Sequence, residues 1–381
     1  MMASQVTSTD QAHLRRALEL AEGGRGRVSP NPLVGAVIVR DGETIGEGFH
    51  ADLGGLHAER AALADCRERG EDPAGATMYV TLEPCAHEGR QPPCVEAILE
   101  ARIARVVIAS EDPSEKAAGR GPGILRDGGV EVAFASGAEA TAARRLNQPF
   151  RKHARTGLPL VVLKMAMSLD GQTTTAPGDS PWISGPQSRE LVHRWRAESG
   201  AIAVGIGTVL ADDPLLTARV DGARQPVRVV FDSQARLPRS SQLLQTRDQA
   251  AVCVVVAPEA RSDRLAALKD AGAEIITAPD VESALRELGR REITSLFLEG
   301  GKTLASSFLA SDQVDESRTF IAPVLLGQDK GGRRAGPVSD TTPAPTGAGP
   351  ASSPPTRVAA LDSTSERVGE DVLITARFKE W

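Results

Sequence analysis

His57-Ala58-Glu59, followed after a helix and a strand by Pro84-Cys85-Ala86-His87-Glu88-Gly89-Arg90-Gln91-Pro92-Pro93-Cys94, is the stretch on which this chain turns. His57, Cys85 and Cys94 offer one imidazole and two thiols, three donors for a tetrahedral zinc. A fourth position is then open to water, which separates a catalytic zinc from a closed structural one. Glu59, two residues past the histidine, can reach that water without ligating the metal. A structural zinc would need a fourth protein ligand, for which His87 is the nearby candidate.

H-x-E followed by P-C-x-x-C is the layout of zinc nucleobase deaminases, with the glutamate as proton shuttle. Here eight residues separate the cysteines rather than two. The longer spacing needs a loop, and Gly89, Pro92 and Pro93 supply its turn chemistry. Pro93 also suits the first turn of a helix over Cys94 to Ala101, whose N–H groups favour the Cys94 thiolate. Cys66, on a helix beside Arg67 and Arg69, and Cys253, within an apolar run, read as buried hydrophobes.

P-C-x-H-x-G-x-x-P-P-C after H-A-E resembles the deaminase half of the bifunctional riboflavin-biosynthesis deaminase-reductases. That resemblance implies a cytidine-deaminase-like fold and a phosphorylated pyrimidine substrate. Asn31, in the family's N-P-x-V-G pattern, would hold the pyrimidine edge. Read alone, it is an Asx turn between Pro30 and Pro32. His50 would lie near the substrate; read alone, it is a surface histidine. After Glu111-Asp112-Pro113 the family continues N-P-x-V-x-G-x-G. This chain keeps the glycines, Gly119 and Gly121, and loses the asparagine, proline and valine.

Bulk composition bounds the alternatives. At 381 residues the chain exceeds one ordinary domain. A net charge of −6 and 3% aromatics argue against a nucleic-acid partner. A tRNA deaminase would carry P-C-x-x-C and a basic surface. No signal-peptide pattern opens the chain and no apolar run reaches membrane length, so a cytoplasmic location is expected. Four scattered cysteines suit metal use in a reducing compartment better than disulfides.

Along the chain, Asp10 is expected to cap a first helix, Val34 to Val39 and Glu43 to Phe49 to pair across Asp41-Gly42, and His57 to open a helix ending near Arg69. Strands at Ala76 to Leu82, Arg105 to Ser110 and Val130 to Phe134 alternate with helices, giving a three-layer α/β/α domain. A last helix, Ala138 to Phe150, closes a deaminase domain over 1–150. Residues 151–158 read as an irregular basic linker, and a second domain spans 159–381. Within it, 328–356 is rich in Pro, Gly, Ser and Ala and reads as a mobile loop.

The second half resembles the reductase half of the same family, which has a dihydrofolate-reductase-like α/β fold. Ala166-Met167-Ser168-Leu169-Asp170-Gly171, Ser180-Pro181-Trp182-Ile183-Ser184, Thr208 to Arg219 and Ala322-Pro323-Val324-Leu325-Leu326-Gly327 carry that resemblance. It implies NADPH contacts at Ala166, Trp182, Thr208, Asp212 and Ser233, and a pyrophosphate loop at Gly301, Lys302, Thr303, Leu304, Ala305, Ser306 and Ser307. It implies substrate contacts at Ser180, Arg196, Leu216, Arg219 and Glu299. Arg196 and Arg219 are chemically sensible phosphate clamps. The family also implies a homo-oligomer. Rival readings are a zinc-stabilised scaffold joined to a working reductase, and a reductase for a related pyrimidine or pterin.

Overall fold

The computed structural model describes residues 6–89, 91–114, 117–173, 182–327 and 358–381. The first helix, α1 (Ser8–Ala21), is capped by Thr7 rather than Asp10. Thr7 Oγ1 accepts the Asp10 N–H, and the Asp10 carboxylate accepts the Thr7 N–H at 2.7 Å, a reciprocal capping box. Asp10 is also spent on the core, accepting from the Tyr79 hydroxyl at 2.8 Å and from Arg105 at 2.7 Å.

The first sheet alternates with its helices: β1 (Gly35–Arg40), β2 (Glu43–Phe49), α2 (Ala58–Glu68), β3 (Thr77–Val80), α3 (Cys94–Glu100), β4 (Arg105–Ile108), α4 (Arg120–Asp127), β5 (Glu131–Phe134) and α5 (Ala138–Leu146). Its order is β2-β1-β3-β4-β5, with β3, β4 and β5 parallel. Strand alternation fills both faces. Val37, Val39, Tyr79 and Val107 meet Leu14, Ala17 and Ala143 on one side. Ile38, Met78, Val80 and Val106 meet Leu63, Ile98 and Leu125 on the other. The expected three layers are present.

The single helix expected over Ala138 to Phe150 is two. Asn147 breaks it, donating to the Leu33 carbonyl and accepting the Leu33 N–H at 2.9 and 2.8 Å. Pro149 then sits in the first turn of α6 (Gln148–Thr156). The segment expected to be irregular is therefore helical, and its basic residues are not a solvated run. Arg151 and Lys152 are each 1% exposed. Lys152 pairs with Asp315 at 2.6 Å in the interior.

The second sheet follows as β6 (Leu160–Ser168), α7 (Pro186–Glu198), β7 (Ala201–Gly205), α8 (Ile206–Asp212), β8 (Val227–Phe231), α9 (Gln242–Gln245), β9 (Val252–Val256), α10 (Ser262–Asp270), β10 (Glu274–Thr277), α11 (Val281–Arg290), β11 (Ser295–Leu298), α12 (Lys302–Ala310), β12 (Glu316–Ala322), β13 (Asp362–Val368) and β14 (Asp371–Arg377). The order β10-β9-β8-β7-β11-β6-β12-β14-β13 places β11 between β7 and β6. Connections leave in opposite directions there, and such switch points open ligand crevices at the carboxyl ends of strands. β13 was not expected from sequence: it is a polar, exposed edge strand without an apolar alternation to mark it. The segment 328–356 and Ser180 lie outside the described residues.

Candidate active sites

His57 is the N-cap of α2 and Cys94 the first residue of α3, so two helix starts converge on the loop that leaves β3. His57 Nδ1 stands 3.5 Å from Cys85 Sγ and 3.4 Å from Cys94 Sγ. Cys85 Sγ accepts the Cys94 backbone N–H at 3.3 Å. The three donor atoms lie within 4.8 Å of one another. An imidazole and two thiols so arranged are a zinc donor set. The Cys94 thiol, hydrogen-bonded to Cys85, holds the Cys85 thiol down to about 4, while the same contact pushes Cys94 up.

Glu59 lies in the first turn of α2 and is 4% exposed. Burial raises its carboxyl above the usual range, and Cys94 is among its neighbours. A carboxyl placed this way can take a proton from a water and give it up again. Asn31 and His50 are brought to the same place. Asn31 Nδ2 and His50 Nε2 are 3.1 Å apart, and the His50 ring meets the His57 ring edge-on with centroids 5.3 Å apart. His50, a surface histidine on its residue alone, is buried. Its Nδ1 bonds the Leu56 carbonyl at 2.9 Å, which makes Nε2 the acceptor of the Asn31 amide. Asn31 Oδ1 is then the atom left for a ligand.

Sequence reasoning missed Glu83. Its buried carboxylate accepts the Asp112 N–H at 3.4 Å, and its own N–H bonds the Ser110 carbonyl at 3.0 Å. A side chain on Gly121 would put its Cβ 2.1 Å from the Pro84 carbonyl oxygen. That contact explains why the rewritten loop after Asp112 keeps Gly121, and Gly119 holds a left-handed backbone with φ of 73°. A carboxylate directly before a Pro-Cys ligand, in a buried strand exit, was the available signal.

In the second half, among the described residues, Ala166 lies on β6, Thr208 on α8 just after β7, Ser233 just past β8 and Glu299 just past β11. Arg196, at the end of α7, meets Glu299 through Nε–Oε1 at 2.6 Å and Nη2–Oε2 at 2.9 Å, and gives Nη1 to the Thr217 carbonyl. Arg219 is exposed and has no hydrogen bond or ion pair among the described residues. Leu216 holds a left-handed backbone with φ of 53° and points into the core, so it can offer a ligand its main chain. Lys164 on β6, unmarked in sequence, sits beside Glu299 and Arg196, and burial lowers its ammonium.

The nucleotide contacts form a second group. Thr208 on α8 faces Gly301, where a Cβ would stand 3.6 Å from Thr208 Oγ1. Gly301 caps α12 without a side chain, and the helix's own bonds begin at the Leu304 N–H. The N–H groups of Lys302 and Thr303 are thus left for an anion. Ala305 is buried in the core, and Ser307 bonds the Thr303 carbonyl at 3.1 Å; Ser306 is exposed on the same helix. Asp212 ends α8 exposed, Ser233 is exposed past β8, and Ala166 is half-buried on β6. Trp182 is exposed, with the Arg189 guanidinium 5.1 Å from its ring centre. Asp170 accepts from Ser168 Oγ and from the N–H groups of Leu326 and Gly327, so two strings far apart in sequence meet here.

Residues 159–368 match the model of the RibD C-terminal domain, and residues 7–110 that of the cytidine and deoxycytidylate deaminase zinc-binding region. The riboflavin biosynthesis protein RibD of Actinobacillus pleuropneumoniae is 42% identical over 328 residues, 84% of this chain and 85% of the relative. That of Escherichia coli (strain K12) is 41% identical over 350 residues, 85% and 90%. Acinetobacter baumannii RibD, form 1, superposes with a TM-score of 0.81 at 37% identity, covering 98% of this chain and 99% of that one. The diaminohydroxyphosphoribosylaminopyrimidine deaminase/5-amino-6-(5-phosphoribosylamino)uracil reductase from Thermotoga maritima gives 0.79 at 35%, covering 97% and 99%.

Proposed function

The chain belongs to the RibD family of riboflavin-biosynthesis proteins, and from that premise we propose how its residues share two consecutive reactions. It is a bifunctional enzyme, a zinc-dependent deaminase joined to an NADPH-dependent reductase. We assign the deaminase to residues 1–150 and the reductase to 159–381, joined through 151–158. The convergence of His57, Cys85 and Cys94 beside buried Glu59 carries the first assignment.

The first substrate is 2,5-diamino-6-(5-phosphoribosylamino)pyrimidin-4-one. Its amine-bearing ring carbon gains an oxygen from water and loses ammonia. His57, Cys85 and Cys94 would hold the zinc, which when bound would lower the pKa of a water; the second site would hold NADPH, which would supply the hydride. Glu59 takes the proton of the attacking water on a carboxylate oxygen and passes it to the departing amine. Asn31 Oδ1, oriented by His50, accepts from the edge of the pyrimidine.

In the second half the ribosyl group of the deaminated product becomes ribityl. Its C1′ accepts the hydride as the ring bond from C1′ to O4′ breaks, and O4′ takes the proton to become a hydroxyl. Lys164, lodged against Glu299 and Arg196, can hold that proton. Arg219, whose guanidinium is free among the described residues, binds the phosphate, and the main chain at Leu216 lines the substrate; Ser180 is assigned a substrate contact on the resemblance alone. Thr208, Asp212, Trp182, Ser233, Ala166 and the α12 start take the cofactor.

The substrate is a small phosphorylated pyrimidine; no nucleic acid or membrane partner is needed. Among the described residues, no helix is long and apolar enough to cross a membrane. We place the enzyme in the cytoplasm as a homo-oligomer, which cell fractionation and sedimentation test. The decisive experiment adds the diaminopyrimidine to purified protein with NADPH. Ammonia release and NADPH oxidation are expected together. Oxidation only with some other pyrimidine or pterin would overturn the assignment.

A further inference from the structure

Arg151 bridges the two halves of the chain at the edge of the deaminase site. It is 1% exposed and lies on α6, where a surface linker was expected. Its Nη1 donates to Ser110 Oγ and to the Glu111 carbonyl, both at 3.1 Å, and its Nη2 to Glu111 Oε1 at 2.7 Å. Its Nε donates to the Trp381 main-chain oxygen at 2.6 Å. Trp381 is itself fixed from both halves. Its indole N–H donates to Asp315 at 3.0 Å, and its main chain exchanges bonds with Gln148 at 2.9 and 3.1 Å.

The other end of this contact reaches the metal loop in two steps. Ser110 and Glu111 leave β4, the parallel neighbour of β3, which delivers Glu83-Pro84-Cys85. The Ser110 carbonyl accepts the Glu83 N–H, and Glu83 accepts the Asp112 N–H. The segment Ser110 to Asp112 therefore stands beside the ligand loop at the carboxyl ends of the strands, where α/β sheets hold their ligands. One planar guanidinium, with its donors in a rigid fork, meets all of these acceptors at once. A lysine, a single point charge on a flexible stem, cannot.

We propose that Arg151 is a positioning residue for deamination, setting the loop after β4 from a foothold on Trp381 in the reductase half. This rests on the deaminase reading above. The reductase half thereby contributes to the first reaction without touching its substrate. Glu111 is half-exposed, so the bridge is not a simple consequence of packing two buried surfaces.

The test uses the full chain carrying Arg151→Lys, with Glu111→Ala as a second variant at a half-exposed position should the first fail to fold, and Trp381→Ala for the far foothold. Ammonia release from the diaminopyrimidine, NADPH oxidation with the already deaminated substrate, and bound zinc are measured on each. The expected result is a rise in deaminase KM of about 10-fold or more, the loss of one charge-assisted hydrogen bond. Zinc content and the reductase rate should stay at wild-type levels. Equal loss of both activities, or loss of neither, overturns the proposal, since a bridge that merely stabilises the fold moves both together. Wild-type protein that releases no ammonia would instead overturn the deaminase reading on which it rests.

Discussion

Arg196 and Glu299 grip one another through two parallel bonds of 2.6 and 2.9 Å, although 103 residues separate them. The sequence expectation gave both to the substrate, with Arg196 clamping phosphate. In the structure Arg196 spends its fork on Glu299 and Thr217, and Arg219 is the clamp we propose for the phosphate. Arg219→Ala should raise KM for the phosphorylated pyrimidine by about 10- to 100-fold and leave NADPH affinity unchanged. Equal weakening of both ligands in steady-state kinetics would remove Arg219 from the substrate site.

Breaking the Arg196–Glu299 pair from one side strands a largely buried charge. Glu299→Ala should cost about 3 kcal/mol of stability, seen as a lower midpoint in urea, as well as reductase activity. Arg196→Met combined with Glu299→Leu should regain most of that stability and none of the activity. A double variant as unstable as the single one would show that the pair is not a closed unit.

Glu59→Gln preserves the shape of the α2 start and removes the proton carrier. Zinc content should be unchanged and ammonia release should fall by about 100- to 10,000-fold. Reduction of the deaminated substrate should continue at the wild-type rate. Full ammonia release would end the role assigned to Glu59.

Stripping the metal separates the four cysteines. Cys85, held down to about 4 by the Cys94 thiol beside it, should become the fastest thiol toward a disulfide reagent in chelated protein. Cys253 is buried and pushed up to about 12, and buried Cys66 is raised as well, so both should stay silent until unfolding. Cys94→Ser should lose zinc and deamination together. Thiol counts that do not change on chelation would contradict this ligand set.

Acid stability should depend on Asp10. Burial alone would raise its carboxyl, but Arg105, the Thr7 N–H and the Tyr79 hydroxyl outweigh that and hold it well below the usual carboxylate range. The unfolded chain then binds the proton first as pH falls, so the stabilisation is full above about pH 5 and drains away in more acid solution. Asp10→Asn should be less stable by about 2 kcal/mol at pH 7, and the gap to wild type should close toward pH 2 in thermal melts. A gap independent of pH would assign the loss to packing instead.

The metal centre was legible because its chemistry is local: a helix start, a strand exit and a second helix start each announce themselves by His57, Cys85 and Pro93-Cys94. The glycines kept after Asp112 were visible, but the reasons, the positive φ of Gly119 and the approach of Gly121 to the Pro84 carbonyl, exist only in three dimensions. Arg151 and Lys152 were misread for the same cause. A basic pair reads as solvated unless its partners are known, and those partners, Glu111, Asp315 and Trp381, come from distant segments. Lys164 was hidden in an apolar strand, where one charged residue does not disturb the pattern. β13 was silent because an exposed edge strand needs no apolar face.

The insertion of β11 between β7 and β6 also fixes a timetable for synthesis. β6 ends at Ser168, yet its two sheet neighbours are β11, from Ser295, and β12, from Glu316. The first strand of the reductase half must wait on the ribosome, unpaired along both edges, while more than a hundred further residues emerge. The five strands of the first sheet are complete by Phe134 and face no such delay. Long waits of this kind slow folding and leave strand edges open to wrong pairing. A chain broken off before Ser295 would therefore carry a finished first sheet and an aggregation-prone remainder.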